Sequence, residues 1–153
     1  QLTLVPVEEG AEVMADHIVA PERRIAQQRL ADEVCSLVHG DEATQRARLA
    51  ASGLFGDEIP TAEVLEALRG VVPESIVSIV DVSGVESLID VLVLSELCSS
   101  RGDARRTVAS GGVRVNGVRV GENVTALPDD SVVADRFVLL QKGKRSRHLL
   151  VFG

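Results

Sequence analysis

SSRGDARRTVASGGVRVNGVRV, residues 99–120, changes its periodicity halfway along and thereby decides the fold class. In its first half Ser100 and Asp103 stand at the spacing of a capping box. They open a helix through Ala104, Val108 and Ala109 that Gly111 and Gly112 stop. In its second half Val113, Val115, Val118 and Val120 alternate about Asn116 and Gly117, the dipeptide that most strongly signals a two-residue hairpin. Upstream, Ser83 and Glu86 repeat the capping spacing, and Val85, Leu88, Ile89, Leu92 and Val93 follow as one helical face. Downstream, residues 137–140 and 148–151 read as a strand pair turned at residues 142–146. Residues 84–153 are therefore expected to be α+β, two helices packed on a small curled sheet.

Further toward the N-terminus the reading is helical. Pro6 with Val7, Glu8 and Glu9 suits a helix start, weakened by Gly10. Pro21 and Glu22 open a better helix, in which Ala26, Leu30, Val34, Leu37 and Val38 form a single stripe expected to be buried, and Gly40 stops it. Asp41 caps a third helix with Ala43, Ala47, Ala50 and Leu54 on its apolar side. Thr61 caps a short fourth one carrying Val64, Leu65 and Leu68. Residues 1–70 are thus expected to be a helical unit. Residues 71–83, with Pro73 and no helical period, read as a linker or a short extended segment.

Composition bounds the function classes. The 153 residues allow one ordinary domain or two small ones, and 45% apolar with 25% charged residues is a globular balance. No apolar run approaches a membrane span: the densest, residues 91–94, is fenced by Asp90 and Ser95. Cys35 and Cys98 lie far apart with no short-spaced pattern, which argues for a reducing, cytosolic setting. A first residue of Gln and the lack of a basic-then-apolar leader suggest a piece of a longer protein. The net charge of −7 hides an asymmetry. Residues 1–98 hold 6 Arg against 18 acids, whereas residues 99–153 hold 10 Lys or Arg against 5. Such a split separates a solvated half from one that meets an anion, most often nucleic acid.

The candidate anion site follows from that half. Arg101, Arg105 and Arg106 fall in the first turns of a helix, and Arg114 and Arg119 flank the hairpin tip, making one expected positive rim. Lys142, Lys144, Arg145 and Arg147 crowd a tight turn without an acid, so an external anion is a natural compensation. Arginine forks suit phosphate oxygens.

The run from Ser99 to Val120, with its basic helix, glycine stop and VNG hairpin in that order, resembles the RNA-binding domain named after ribosomal protein S-four. The run PERRIAQQRLADEVCSLVHGDEA (21–43), SGLFG (52–56) and the closing RFVLLQKGKRSRHLLVF (136–152) resemble bacterial tyrosyl-tRNA synthetases beyond their catalytic domain. The resemblance implies a helical tail of the anticodon-binding region followed by an αL-type RNA-binding domain. It implies tRNA(Tyr) as partner, gripped at the long variable arm and anticodon stem, with no DNA and no membrane. It implies a parent class I ligase, cytoplasmic, that uses ATP and Mg and dimerises through its catalytic domain, leaving this chain monomeric. The family's HIGH-like and KMSKS-like signatures do not occur, so this chain is expected to bear no catalytic residue. Two departures stand out. Glu96 occupies a place where family members often have glycine, and residues 145–148 lack the family's tyrosines, so binding is expected to rest on phosphates more than on stacking.

Competing readings are weaker. Cys35 and His39 sit four apart on one helix but lack further ligands, and His39 suits the negative end of its helix. His17 and His148 have no partner visible in sequence. The glycines at 111, 112, 117 and 121 serve turns rather than a phosphate loop. Two other function classes stay open: an RNA-binding domain of another RNA-modifying or ribosome-associated protein, and an acidic helical protein-interaction module. The LVHG and LFG runs favour the ligase appendage over the first of these.

Overall fold

The structure, a computed structural model, describes residues 25–55, 59–78, 82 and 86–153, and the chain divides into two compact units, residues 1–48 and 49–153. The expected helix starts at Pro6 and Pro21 and the capping residue Ser83 lie outside the described residues. Among the described residues no helix is long and apolar enough to cross a membrane.

In the first unit, helix α1 (Ile25–His39) ends at Gly40, whose φ of +85° is the left-handed conformation glycine favours and whose amide donates to the Ser36 carbonyl at 2.9 Å. Helix α2 (Asp41–Phe55) begins at once, with Asp41 and Glu42 where the helix dipole favours acids. The two helices meet through polar groups: Arg48 pairs with Asp32 at 2.7 Å, and the Ser36 hydroxyl donates to Asp41. The apolar stripe expected to be buried is therefore not buried. Leu30, Val34, Leu37 and Val38 are 43–67% exposed, and Ala43 and Ala47, which would have faced them from α2, are exposed as well.

The second unit contains α3 (Ala62–Ala67), β1 (Glu74–Val77), α4 (Ser87–Leu94), α5 (Arg101–Ala109), β2 (Val113–Val115), β3 (Val118–Arg119), β4 (Phe137–Lys142) and β5 (Ser146–Phe152). Its five-stranded mixed sheet has the order β1-β5-β4-β2-β3, with β1 parallel to β5 and the other pairs antiparallel. Side chains alternate across a strand, and the central strands use both faces. Val138, Leu140, Leu150 and Phe152 join Val113 and Val115 beneath Leu88, Ile89 and Leu92 of α4 and Ala104 and Val108 of α5. The intervening Phe137, Leu139, Leu149 and Val151 meet Leu65 and Leu68 at α3, with Ala50 from the end of α2. The α+β class with two helices on a small sheet is present, and α3 adds a second layer on the other side. Arg136 ties that layer down, reaching Glu66 at 3.3 Å while stacking 5.0 Å over the Phe137 ring.

The expected linker over residues 71–83 needs correction. Glu74–Val77 is a sheet strand in register with residues 149–152 of β5, and the division into units falls between Arg48 and Leu49. Only Val77 of β1 is buried, so this strand carries no period of its own, and the distant β5 backbone specifies it. The short-extended alternative was the right half of the expectation.

Two local features explain sequence details. Glu96 has φ +57°, and its amide donates to Val93 O at 3.0 Å while Cys98 N–H donates to Leu92 O at 2.9 Å. It occupies the left-handed position that closes α4, the place where the resembling family often has glycine. A Cβ on Gly53 of the SGLFG run would lie 2.6 Å from Val64 Cγ1 and 3.1 Å from Leu68 Cδ1. Glycine there lets α2 approach α3 despite its poor helix propensity.

Two measurements check this architecture. Leu68→Ala should cost about 2–5 kcal/mol and lower the urea midpoint of the sheet itself, read by circular dichroism. An unmoved sheet transition would mean α3 belongs to another core. His148, nearly buried with Nε2 2.9 Å from Ser75 Oγ on β1, has its pKa held below that of ordinary histidine by burial, against the upward pull of Glu96 and Glu74. The unfolded chain then binds this proton more readily, so its contribution to stability is complete above about pH 6.5 and is lost as pH falls through the folded value. His148→Gln should flatten the fall of the urea midpoint between about pH 7 and pH 5.

Candidate nucleic-acid interface

Helix α5 starts at Ser100, whose hydroxyl accepts from Asp103 N–H at 3.2 Å. The Asp103 carboxylate in turn accepts from Ser99 N–H at 3.2 Å, so the expected capping box is present with its return bond one residue earlier. That start places Arg101 and Arg105, one turn apart, toward α4. Arg101 reaches Asp90 at 2.7 Å and Glu86 at 3.1 Å, and Arg105 reaches the other oxygen of Glu86 at 2.5 Å. The Arg105 hydrogen bond, helped by the charges of both arginines, holds the Glu86 carboxyl below the usual carboxylate range. From β4, Lys142 reaches Asp103 at 3.1 Å, which lowers the carboxyl's pKa and raises that of the ammonium. Half-exposed pairs of this sort contribute little to stability. Their larger effect is on the field, since three cations are matched by the carboxylates of Glu86, Asp90 and Asp103.

Two further members of the expected set are held by backbone carbonyls. Arg119 Nε donates to Gly111 O at 2.9 Å and its terminal nitrogen to Ser110 O at 3.3 Å, so the guanidinium lies at the negative end of α5. Gly111, with φ +65°, has no Cβ because the guanidinium fills that space. Arg147 donates to Lys144 O at 3.4 Å and to Leu54 O in the last turn of α2.

Four cations remain. Arg106, Arg114, Lys144 and Arg145 are exposed and have no ion pair or side-chain hydrogen bond among the described residues. The single positive rim is not what the fold builds. Val113 and Val115 face α4 and α5, so Arg114 projects from the opposite side of the sheet to the α5 arginines. The turn bearing Lys144 and Arg145 is joined to the start of β2, Gly143 N–H donating to Gly112 O at 2.9 Å, which brings it to the same end of the sheet.

Sequence reading gave Asn116 only a turn role, and the structure gives it more. Asn116 and Gly117 have φ of +48° and +81°, the pair of positive values that this hairpin turn requires. The Asn116 side chain is buried, accepts from Leu139 N–H at 2.8 Å and donates to Ser131 O. Its own amide donates to Leu139 O at 2.8 Å. The preference for Asn over Gly at such a turn was legible, whereas the partners are 15 and 23 positions away.

The arrangement defines a class: a small α+β domain with a mixed sheet and exposed cations without ion pairs, among the described residues, on α5, β2 and the β4–β5 turn. Residues 58–150 match the family described as tyrosine–tRNA ligase SYY-like C-terminal domain, and the chain belongs to that family. Among curated relatives, the tyrosine–tRNA ligase of Mycobacterium tuberculosis is 35% identical over 148 residues, covering 94% of this chain and 34% of its own length. That of Corynebacterium diphtheriae is 36% identical over 145 residues, with the same two shares. That of Mycobacterium sp. strain JLS is 36% identical over 126 residues, covering 82% and 30%. The chain thus spans about one third of the length of these relatives.

Replacing Asn116 by Ala should strand Leu139 N–H and Ser131 C=O and cost about 1–3 kcal/mol for each group left unpaired. Asn116→Gly keeps the turn conformation and loses the same bonds, so thermal unfolding of both variants separates the side chain's bonds from the turn's geometry.

Proposed function

We propose that this chain is the tRNA-binding C-terminal portion of a tyrosine–tRNA ligase, with α4, α5 and the sheet serving as an RNA-binding domain of the ribosomal-protein-S-four type. The order of basic helix, glycine stop and VNG hairpin supports that domain type, and the names of the relatives support the parent activity. In this reading the parent attaches tyrosine to tRNA(Tyr) in the cytoplasm, using ATP and Mg in a catalytic domain that also makes the dimer. The chain itself is a monomer that binds the variable arm and anticodon stem.

The observation that carries the proposal is the set of four exposed cations without an ion pair or side-chain hydrogen bond among the described residues, all within the region that matches the family. Exposed positive charges without a protein partner gain from phosphate, because each phosphate neutralised releases condensed counterions. The acidic remainder repels RNA and orients the domain on approach. Arg101, Arg105 and Lys142 contribute less, since a phosphate must first displace a carboxylate from each of them.

Binding of a tRNA(Tyr) transcript, measured against salt, tests this. Four contacts predict that log affinity falls with log salt at a slope of roughly −3 to −4. Replacing Arg114, Lys144 and Arg145 together by Ala should reduce the slope by about 2–3, and Arg101→Ala with Arg105→Ala by less than ~1. The reverse order would make α5 the contact face, and equal affinity for an unrelated polyanion would favour an acidic interaction module.

A further inference from the structure

The chain holds two asparagines, Asn116 and Asn123, and they differ in both chemistry and surroundings. Asn116 is buried and precedes Gly117 at the tip of the β2–β3 hairpin, whereas Asn123 is exposed and precedes Val124. An asparagine carboxamide is open to attack by the backbone nitrogen of the next residue. That nitrogen is least hindered in glycine, which has no side chain and the freest backbone. A β-branched valine shields it. By sequence alone, then, Asn116 is the labile position and Asn123 the durable one.

The fold opposes that order. Attack requires the Asn116 carboxamide carbon to swing onto Gly117 N and close a five-membered ring. The carboxamide is fastened at both ends, its oxygen accepting from Leu139 N–H at 2.8 Å and its amide group donating to Ser131 O. Turning it free would strand two buried polar groups at once. Asn116 is also only 6% exposed, so little water reaches the carbon under attack.

We propose that Asn116 is a modification site opened only by unfolding, and that loss of ammonia there makes unfolding irreversible. Hydroxide removes the Gly117 amide proton, the nitrogen attacks Asn116 Cγ, and the Cγ–Nδ2 bond breaks to release ammonia. Water then opens the succinimide so formed. Opening at Cγ leaves an aspartate side chain, whereas opening at the main-chain carbonyl leaves isoaspartate, with the backbone running through Cβ and Cγ. One water is consumed and one ammonia released, with no change of oxidation state.

Neither product fits the hairpin. The ionised aspartate only accepts hydrogen bonds, so Ser131 O would face a second acceptor in place of its donor. Isoaspartate adds a backbone carbon to a turn whose φ values of +48° and +81° suit a two-residue loop. The pairing of Arg114 with Arg119 and of Val115 with Val118 depends on that loop. The inference stands on the hydrogen bonds of the hairpin and holds whether or not the chain binds RNA.

The test follows the 153-residue chain at mildly alkaline pH, folded and in urea, by peptide mass spectrometry with both thiols kept reduced. Unfolded chain should lose ammonia at Asn116 well before Asn123. In folded chain the loss at Asn116 should be slower by about a hundredfold or more, because the reaction then proceeds only from the opened fraction. Asn123, already exposed, should change far less between the two states. After heating through the unfolding transition and cooling, the fraction that fails to regain its circular dichroism should match the fraction modified at Asn116. Asn116→Gly keeps a residue suited to positive φ and has no carboxamide to react, so it should recover in full from the same treatment. Equal rates at Asn116 in folded and unfolded chain would overturn the proposal, as would modified chain that refolds with a native melting curve. Failure of Asn116→Gly to recover would assign the irreversibility to aggregation and overturn it too.

Discussion

Strands β4 and β5 are buried on both faces, and every other element of residues 49–153 is placed by that requirement. Leu139, Leu140, Leu149 and Leu150 are consecutive pairs, each pair pointing one leucine up and one down, and all four are 0–3% exposed. A strand pair this apolar cannot stand with one side in water. Helices α4 and α5 cover one face and α3 the other, while β1 and β2 extend the ladder at its two sides. The family match beginning at residue 58 is understandable on this ground, since a unit cut at residue 84 would leave Phe137, Leu139, Leu149 and Val151 bare.

Charge compensation then decides which basic residues are available. A count along the sequence gives nine candidates, but their environments differ. Arg101, Arg105 and Lys142 are matched to carboxylates, Arg119 and Arg147 to helix-end carbonyls, and only Arg106, Arg114, Lys144 and Arg145 have neither an ion pair nor a side-chain hydrogen bond among the described residues. The paired set fastens α5 to α4 and β4 and gives α5 its orientation, so those arginines have a structural reason to exist even without a ligand. Glu86 joins two of them through its two oxygens, which offsets the repulsion of like charges one turn apart.

Much of this fold was legible wherever a period or a turn residue is local. The hairpin around Asn116 and Gly117, the α5 start at Ser100 and the β4–β5 pair are each specified by residues within a few positions of one another. Elements specified at long range were not. β1 has one buried residue, and the exposed stripe on α1 has a helical period indistinguishable from that of a buried one. The same limit applied to the site. Basic residues are visible in a sequence, whereas the carboxylates that neutralise Arg101 and Arg105 lie 11 to 19 positions upstream on another helix. The side of the sheet from which Arg114 projects follows from the alternation of its neighbours, but its separation from α5 needed the sheet order.

Asn116 connects the fold to the proposed phosphate contact. Its turn carries β2 into β3 and so sets Arg114 and Arg119 opposite one another. Its side chain fastens Ser131, at the end of the short 3₁₀ turn Asp129–Ser131, while accepting from the Leu139 amide of β4. One buried carboxamide thereby joins the hairpin, the 3₁₀ turn and the central strand. Because it is bonded on both sides, the hairpin tip cannot part from β4 or from the Asp129–Ser131 turn without breaking a buried hydrogen bond. That coupling makes the position of Ser131 relative to Arg114 a property of the core rather than of a loose loop. A cation presented on a hairpin braced in this way meets a phosphate without first bearing the entropy of ordering its own backbone.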